Sequence, residues 1–82
     1  MAILAYVLIT VQSGGEKEVL KRISNLKEII EANLVVGEYD AVVKVKVEDI
    51  SELDTFLTDK LRSLPDVFLT TTMIITKEFK LK

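Results

Sequence analysis

No cysteine, histidine or tryptophan occurs among the 82 residues, and there are only one proline and three glycines. Without cysteine there are no disulfides and no thiolate nucleophile, and without histidine the other common zinc ligand is missing too. A Ser-His-Asp arrangement is excluded on the same ground. No basic excess is present either: the net charge is -2 and the pI about 5.1. A nucleic-acid footprint normally needs a basic face, so no direct contact with nucleic acid is expected. Long hydrophobic runs are also lacking. The apolar start through Val11 is about eleven residues, far short of the roughly 20 that span a bilayer. It has neither a basic leader nor a small-residue cleavage site after it, so neither a signal peptide nor a membrane partner is expected. Absence of disulfides suits the cytosol, and a cytoplasmic location is the expectation.

What is there is apolar. Hydrophobic residues make up 49% of the chain and charged ones 29%. A chain this short allows one domain, taken as residues 1–82. It buries only about 60% of the surface its unfolded form exposes, so on its own it is marginal. Small scaffolds rely on disulfides, a metal or association. With the first two gone, association remains, and a mean hydropathy of +0.31 agrees.

Ile3 to Gln12 is rich in β-branched and aromatic residues and stops at Ser13-Gly14-Gly15, which predicts a strand and a loop. Ser13 and Glu16 have the spacing of a capping box, and Val19, Leu20, Ile23 and Leu26 then repeat at helical spacing. Glu28 to Val36 is expected as a second strand, Gly37 to Asp40 as a tight loop and Ala41 to Val47 as the returning strand. That loop would set Asn33 opposite Lys44 and Glu31 opposite Lys46. Asp49 and Glu52 form a second capping box, after which Ile50, Leu53, Leu57, Leu61 and Leu64 line one face of a helix of about fifteen residues. Pro65 ends it, and Val67 to Thr76 is the last strand, with a charged tail from Lys77 to Lys82. The order β-α-β-β-α-β with right-handed crossovers is an α+β, ferredoxin-like sandwich: a four-stranded antiparallel sheet with two helices on one face.

The other face then needs a cover. In the first strand Ile3, Ala5, Val7, Ile9 and Val11 form one side. Leu4, Tyr6, Leu8, Thr10 and Gln12 form the side assigned to the open face. Alternation adds Ile29, Val35, Val42, Phe68 and Ile74, with Thr70, Thr72, Lys44 and Lys46. A face holding Leu4, Tyr6, Leu8, Val42 and Phe68 is too apolar for a monomer, so a dimer packed sheet against sheet is expected.

Function must come from sites, because this strand order hosts many activities. RNA recognition would need stacking aromatics on the central strands, and Ala41 to Val47 has none. A metal carrier would need Cys-x-x-Cys, and an acyl-phosphate hydrolase an arginine after the first strand. Arg22 and Arg62 lie in the helices instead. No cofactor is expected. Ser13-Gly14-Gly15 is either a flexible N-capped connection or an anion site at a helix start. Gly37-Glu38-Tyr39-Asp40 is either a plain hairpin turn or a small zwitterion site, with loop N–H groups for a carboxylate and Asp40 for an ammonium. Thr70, Thr71 and Thr72 are good strand formers, and Thr70 with Thr72 projects a pair of hydroxyls to one side.

Val35-Val36-Gly37-Glu38-Tyr39-Asp40-Ala41-Val42-Val43 resembles the Gly-x-[Tyr/Phe]-Asp hairpin of the effector domain of Lrp/AsnC transcription regulators. This is the RAM domain, for regulation of amino acid metabolism. Leu64-Pro65-Asp66-Val67 with Thr70 and Thr72 resembles the Leu-Pro-Gly-Val…Thr-x-Thr pattern before its last strand. The resemblance runs nearly the whole chain. It implies a non-enzymatic amino-acid-binding regulatory module, with dimers assembling into rings, commonly octamers, and the ligand between dimers. Carried over by position, Gly37, Glu38, Tyr39 and Asp40 would be loop contacts and Thr70 and Thr72 strand contacts. Asp66 departs from the family's glycine, which bears on the local turn. The family's helix-turn-helix is not seen, since the first strand follows the initial Met. The expectation is a stand-alone module that co-assembles with a full-length regulator of the family.

Other readings stay open at this level. One is a purely structural oligomerisation unit. Another is an ACT-type regulatory domain with its ligand at Ser13-Gly14-Gly15. The last is a small enzyme using Glu38 and Asp40 as acid and base.

Overall fold

In the computed structural model, which describes residues 2–81, the chain alternates strands and helices in the expected order. Met1 and Lys82, the ends of the apolar start and of the charged tail, lie outside the described residues. Strands β1 (Ile3–Val11), β2 (Ile29–Leu34), β3 (Ala41–Val47) and β4 (Val67–Ile74) form one antiparallel sheet in the order β2-β3-β1-β4. Helices α1 (Glu16–Ile23) and α2 (Ile50–Thr55) supply the second layer. The fold is the α+β ferredoxin-like sandwich.

Burial follows the alternation of β1 and β3. Ala5, Val7 and Ile9 are buried with Ala41, Val43, Val45 and Val47, and Val19, Ile23, Leu53, Phe56 and Leu61 close over them. Each large apolar side chain removed from water contributes about 1.5–3 kcal/mol. Leu4, Tyr6 and Leu8 pair with Lys46, Lys44 and Val42 on the opposite, uncovered face.

Several local expectations need correction. Helix α1 is capped by Gly15 and not by Ser13; the carboxylate of Glu16 instead accepts from the Gly14 N–H at 2.8 Å. The Asp49 cap does form, with Glu52 N–H donating to its Oδ1 at 2.8 Å. The second helix is not α-helical throughout, because Phe56–Leu61 winds as a π-helix and Arg62 N–H donates to the Leu57 carbonyl at 2.9 Å. Phe56 and Leu61 are both buried, at 1% and 0% exposure. Five residues apart, they would sit about 140° apart on an α-helix turning about 100° per residue. The wider turn brings both to the core.

Two bulges reset the outer strands. Between Ile29 and Glu31 the β2 register shifts, so Ile29 pairs with Val45 while Glu31 pairs with Lys44 and Asn33 with Val42. The hairpin loop therefore spans residues 36–39, the expected length but one residue earlier in the chain, and is closed by Val35 N–H to the Asp40 carbonyl at 3.0 Å. Ile29 consequently packs against the core and not on the open face. In β4 the register shifts between Val67, opposite Val11, and Leu69, opposite Thr10. The extra residue, Phe68, inverts the alternation. Thr70, Thr72 and Ile74 therefore oppose Ile9, Val7 and Ala5 on the helix side, and Leu69, Thr71 and Met73 take the open face. Phe68 is 65% exposed at the bulge, off the regular alternation that placed it with Leu4, Tyr6, Leu8 and Val42.

Candidate functional site

The 37–40 loop is pinned to the end of β1 by both ends of one residue. Asp40 N–H donates to the Ile9 carbonyl at 2.9 Å, and Asp40 Oδ2 accepts from Val11 N–H at 2.8 Å. The carboxylate expected to hold an ammonium is thus already engaged with backbone. Gly37 and Glu38 are exposed, Tyr39 is half-buried, and Gly37 takes a φ of +156°. The loop is held in place, with its tip in water.

Across the sheet, Ala41, Ile9 and Thr70 stand in one row, so the hairpin end and the start of β4 share one end of the molecule. There Arg62 Nε donates to Thr70 Oγ1 at 3.1 Å. Arg62, Val67, Phe68, Leu69 and Thr70 surround a shallow recess of about 200 Å³. A guanidinium beside a hydroxyl and an aromatic ring suits a carboxylate-bearing ligand. Sequence reasoning gave Arg62 no part because it lies on the helix; only the bulge that turns Thr70 towards the helix side reveals the pair. Thr72 does not join this recess. It lies with Ile50, Leu53, Asp54, Leu57 and Ile74 in a separate groove between α2 and β4.

The Ser13-Gly14-Gly15 loop is occupied from within. Asp66 has a φ of +75°, and its carboxylate lies so close to Gly15 that a Cβ there would sit 2.8 Å from Oδ2. A carboxylate against the start of α1 satisfies the positive helix end and repels an anion, which counts against an ACT-type ligand at this loop.

One buried charge escaped the sequence entirely. Glu28 is 5% exposed and accepts from Lys60 Nζ at 2.6 Å, while its Oε1 has no partner. Burial works to raise the carboxyl's pKa. The Lys60 hydrogen bond, a backbone hydrogen bond and the charges of Lys60 and Lys27 outweigh it and hold the group below its ordinary value. The π-helical turn that carries Lys60 is what the sequence does not announce.

Among the described residues, no cluster of three or more His, Cys, Asp or Glu could hold a metal, and no helix is long and apolar enough to cross a membrane.

Comparison with known proteins agrees with the geometry. The family model for the Lrp/AsnC ligand binding domain matches residues 4–82. The chain belongs to the Lrp/AsnC family. Its relatives include FL11 of Pyrococcus horikoshii, an HTH-type transcriptional regulator, 38% identical over 79 residues. That match covers 96% of this chain and 52% of FL11, so the chain spans about half the length of the curated relatives it matches. Among solved structures, TTHA0845 from Thermus thermophilus shares 30% identity with a TM-score of 0.90, covering 96% of this chain and 99% of that one. NMB0573 of Neisseria meningitidis, a transcriptional regulator solved in its L-Met complex, has a TM-score of 0.88 at 18% identity, covering 96% and 53% respectively. This Lrp/AsnC ligand-binding domain is therefore a regulatory module related to transcription regulators.

Proposed function

We propose that this Lrp/AsnC domain is a non-enzymatic, cytoplasmic module, a single unit over residues 1–82, that binds a free amino acid between copies of itself. The observation that carries the reading is the Asp40 clamp, which fixes the Gly37–Tyr39 loop at the sheet end shared with Arg62 and Thr70. Fixed loop N–H groups and a guanidinium lose little entropy on meeting a carboxylate. The recess on one copy is open, and a hairpin from a neighbouring dimer would enclose a ligand there. NMB0573 in its L-Met complex supports the ligand class by family kinship of fold. Gly37, Glu38, Tyr39 and Thr70 are the contacts of this reading, with Arg62 added. Asp40 acts as the clamp, and Thr72 stands further along β4.

Dimers form through the open face around Leu4, Tyr6, Leu8 and Val42, and dimers assemble into octamers or similar rings, alone or with a full-length regulator of the family. Ligand between dimers biases assembly by its differential affinity for the associated state. Calorimetry against each proteinogenic amino acid is the test, with Arg62→Ala and Asp40→Ala as controls. Saturable heat from one or a few amino acids, lost in Arg62→Ala, is the expected result. Silence throughout at millimolar ligand would leave a purely structural assembly unit.

A further inference from the structure

Both free edges of the sheet carry a groove on the helix side. One, between α1 and β2, is lined by Leu20, Ala32 and Leu34 with Lys17 and Lys21. The other, of about 260 Å³ between α2 and β4, is lined by Ile50, Leu53, Leu57 and Ile74 with Asp54 and Thr72. Ile50 and Ile74 remain 57% and 46% exposed. Its helix is acidic: α2 carries Glu52 and Asp54 and no cation, follows Glu48 and Asp49, and sets Asp54 in the groove lining. Beside it, β4 is an edge strand, paired only with β1 among the described residues. An edge strand of this kind offers a row of backbone donors and acceptors to an added strand.

The C-terminal tail has the opposite character. Lys77, Lys80 and Lys82 face a single acid, Glu78, in sequence. Phe79 and Leu81 are 74% and 92% exposed. Two residues apart, they project to the same side of an extended chain. The tail is also led away from its own groove. Ile75 N–H donates to the Leu4 carbonyl at 2.8 Å, which carries the β4 ladder one residue further; beyond it Glu78 accepts from Lys44 Nζ of β3 at 2.9 Å, on the face opposite the groove. One sequence thus holds an apolar, basic segment turned from its own groove and an apolar, acidic groove that this segment matches.

We propose that the tail of one copy docks in the α2/β4 groove of a second copy. Phe79 and Leu81 pack on Ile50, Leu57 and Ile74, and the segment adds as a short strand to the β4 edge. The acids of α2 select this groove over the one rimmed by Lys17 and Lys21, since like charges would meet there.

Because the chain has no cysteine, introduced ones are the only thiols. A Leu81→Cys chain mixed with an Ile74→Cys chain under mild oxidation is expected to give mixed disulfide dimers ahead of either homodimer. Asp54→Lys on the groove chain should slow the mixed product by about tenfold or more. Phe79→Ser on the tail chain should slow it similarly, and Lys17→Glu should leave it unchanged. Circular dichroism before mixing reports that each variant is folded. Homodimers forming as fast as the mixed species would overturn the proposal. So would faster capture by Leu34→Cys in the other groove, or a disulfide closing within a single chain of the double variant at high dilution.

Discussion

Lys60→Met isolates the Glu28 carboxylate and gives a sign to check. At neutral pH the substitution removes the cation from a carboxylate that is 5% exposed and already has one oxygen without a partner. Breaking a buried pair costs about 3–5 kcal/mol, but Lys60 is 39% exposed, so water reaches part of the gap and about 2–3 kcal/mol is expected. The pH dependence decides between charge and packing. In the native chain Glu28 is held below its ordinary value, so its contribution is full above the unfolded carboxyl's pKa and is lost as pH falls through the folded one. Without Lys60, two of the causes that lower the carboxyl are gone and burial weighs more heavily against its charged form. Acidification then weakens the variant less than the native chain. The penalty of Lys60→Met should be largest near pH 7 and shrink towards about pH 3. Chemical denaturation at fixed protein concentration measures it, with Glu28→Gln and the double variant completing a cycle that cancels the other carboxylates. A penalty of equal size at both ends of the range, or a coupling below about 0.5 kcal/mol at pH 7, refutes the charge argument.

Gly15→Ala should destabilise by about 1–2 kcal/mol, because its Cβ meets Asp66 Oδ2 at 2.8 Å. In a thermal denaturation cycle, Asp66→Gly should remove most of that cost. Asp40→Ala leaves the partly buried Val11 N–H without its acceptor and should cost about 1–3 kcal/mol by urea titration, with faster hydrogen exchange at Val11. Leu8→Glu places a charge at the centre of the open face, beside Val42 and Thr71, and should move the mass seen by light scattering towards the 9.2 kDa of one chain.

How far the sequence carries depends on whether a signal is periodic. Val7, Ile9, Val43 and Val45 alternate without interruption, and their burial was legible because the central strands have no bulge. The outer strands were legible as strands but not in phase. A bulge at Ile30 or Phe68 adds one residue, and neither is marked by glycine or proline, so alternation ran on with the wrong parity. That one slip moved Thr70 from the open face to the helix side, where it meets Arg62. The π-helical turn is equally silent: Phe56 and Leu61 fit a helix read at its usual period only if one of them is ignored. Glu28 looked like an ordinary charge ahead of two isoleucines. The family motifs, by contrast, were legible because the hairpin and the Leu-Pro turn are local.

Near its centre the open face carries an obstacle to packing on itself, and the tail of the same chain answers it. Lys44 stands beside Tyr6, its Nζ 5.5 Å from the ring centroid, and its side chain is 16% exposed. A two-fold contact puts the same patch on both partners, so uncompensated lysines there would be dehydrated together. Glu78 cancels that charge at 2.9 Å, and its hydrogen bond is the main reason the Lys44 ammonium is held above its ordinary pKa. In the lone chain an exposed pair of this kind contributes little. Its value emerges only when a second sheet excludes water. Glu78→Gln should therefore leave the far-ultraviolet spectrum unchanged yet weaken association in sedimentation equilibrium, and Glu78→Lys should weaken it further. Added salt should recover part of the Glu78→Lys loss by screening the extra charge. Equal association constants for all three chains would mean that Lys44 stays in water, and the open face would then not be where the copies meet.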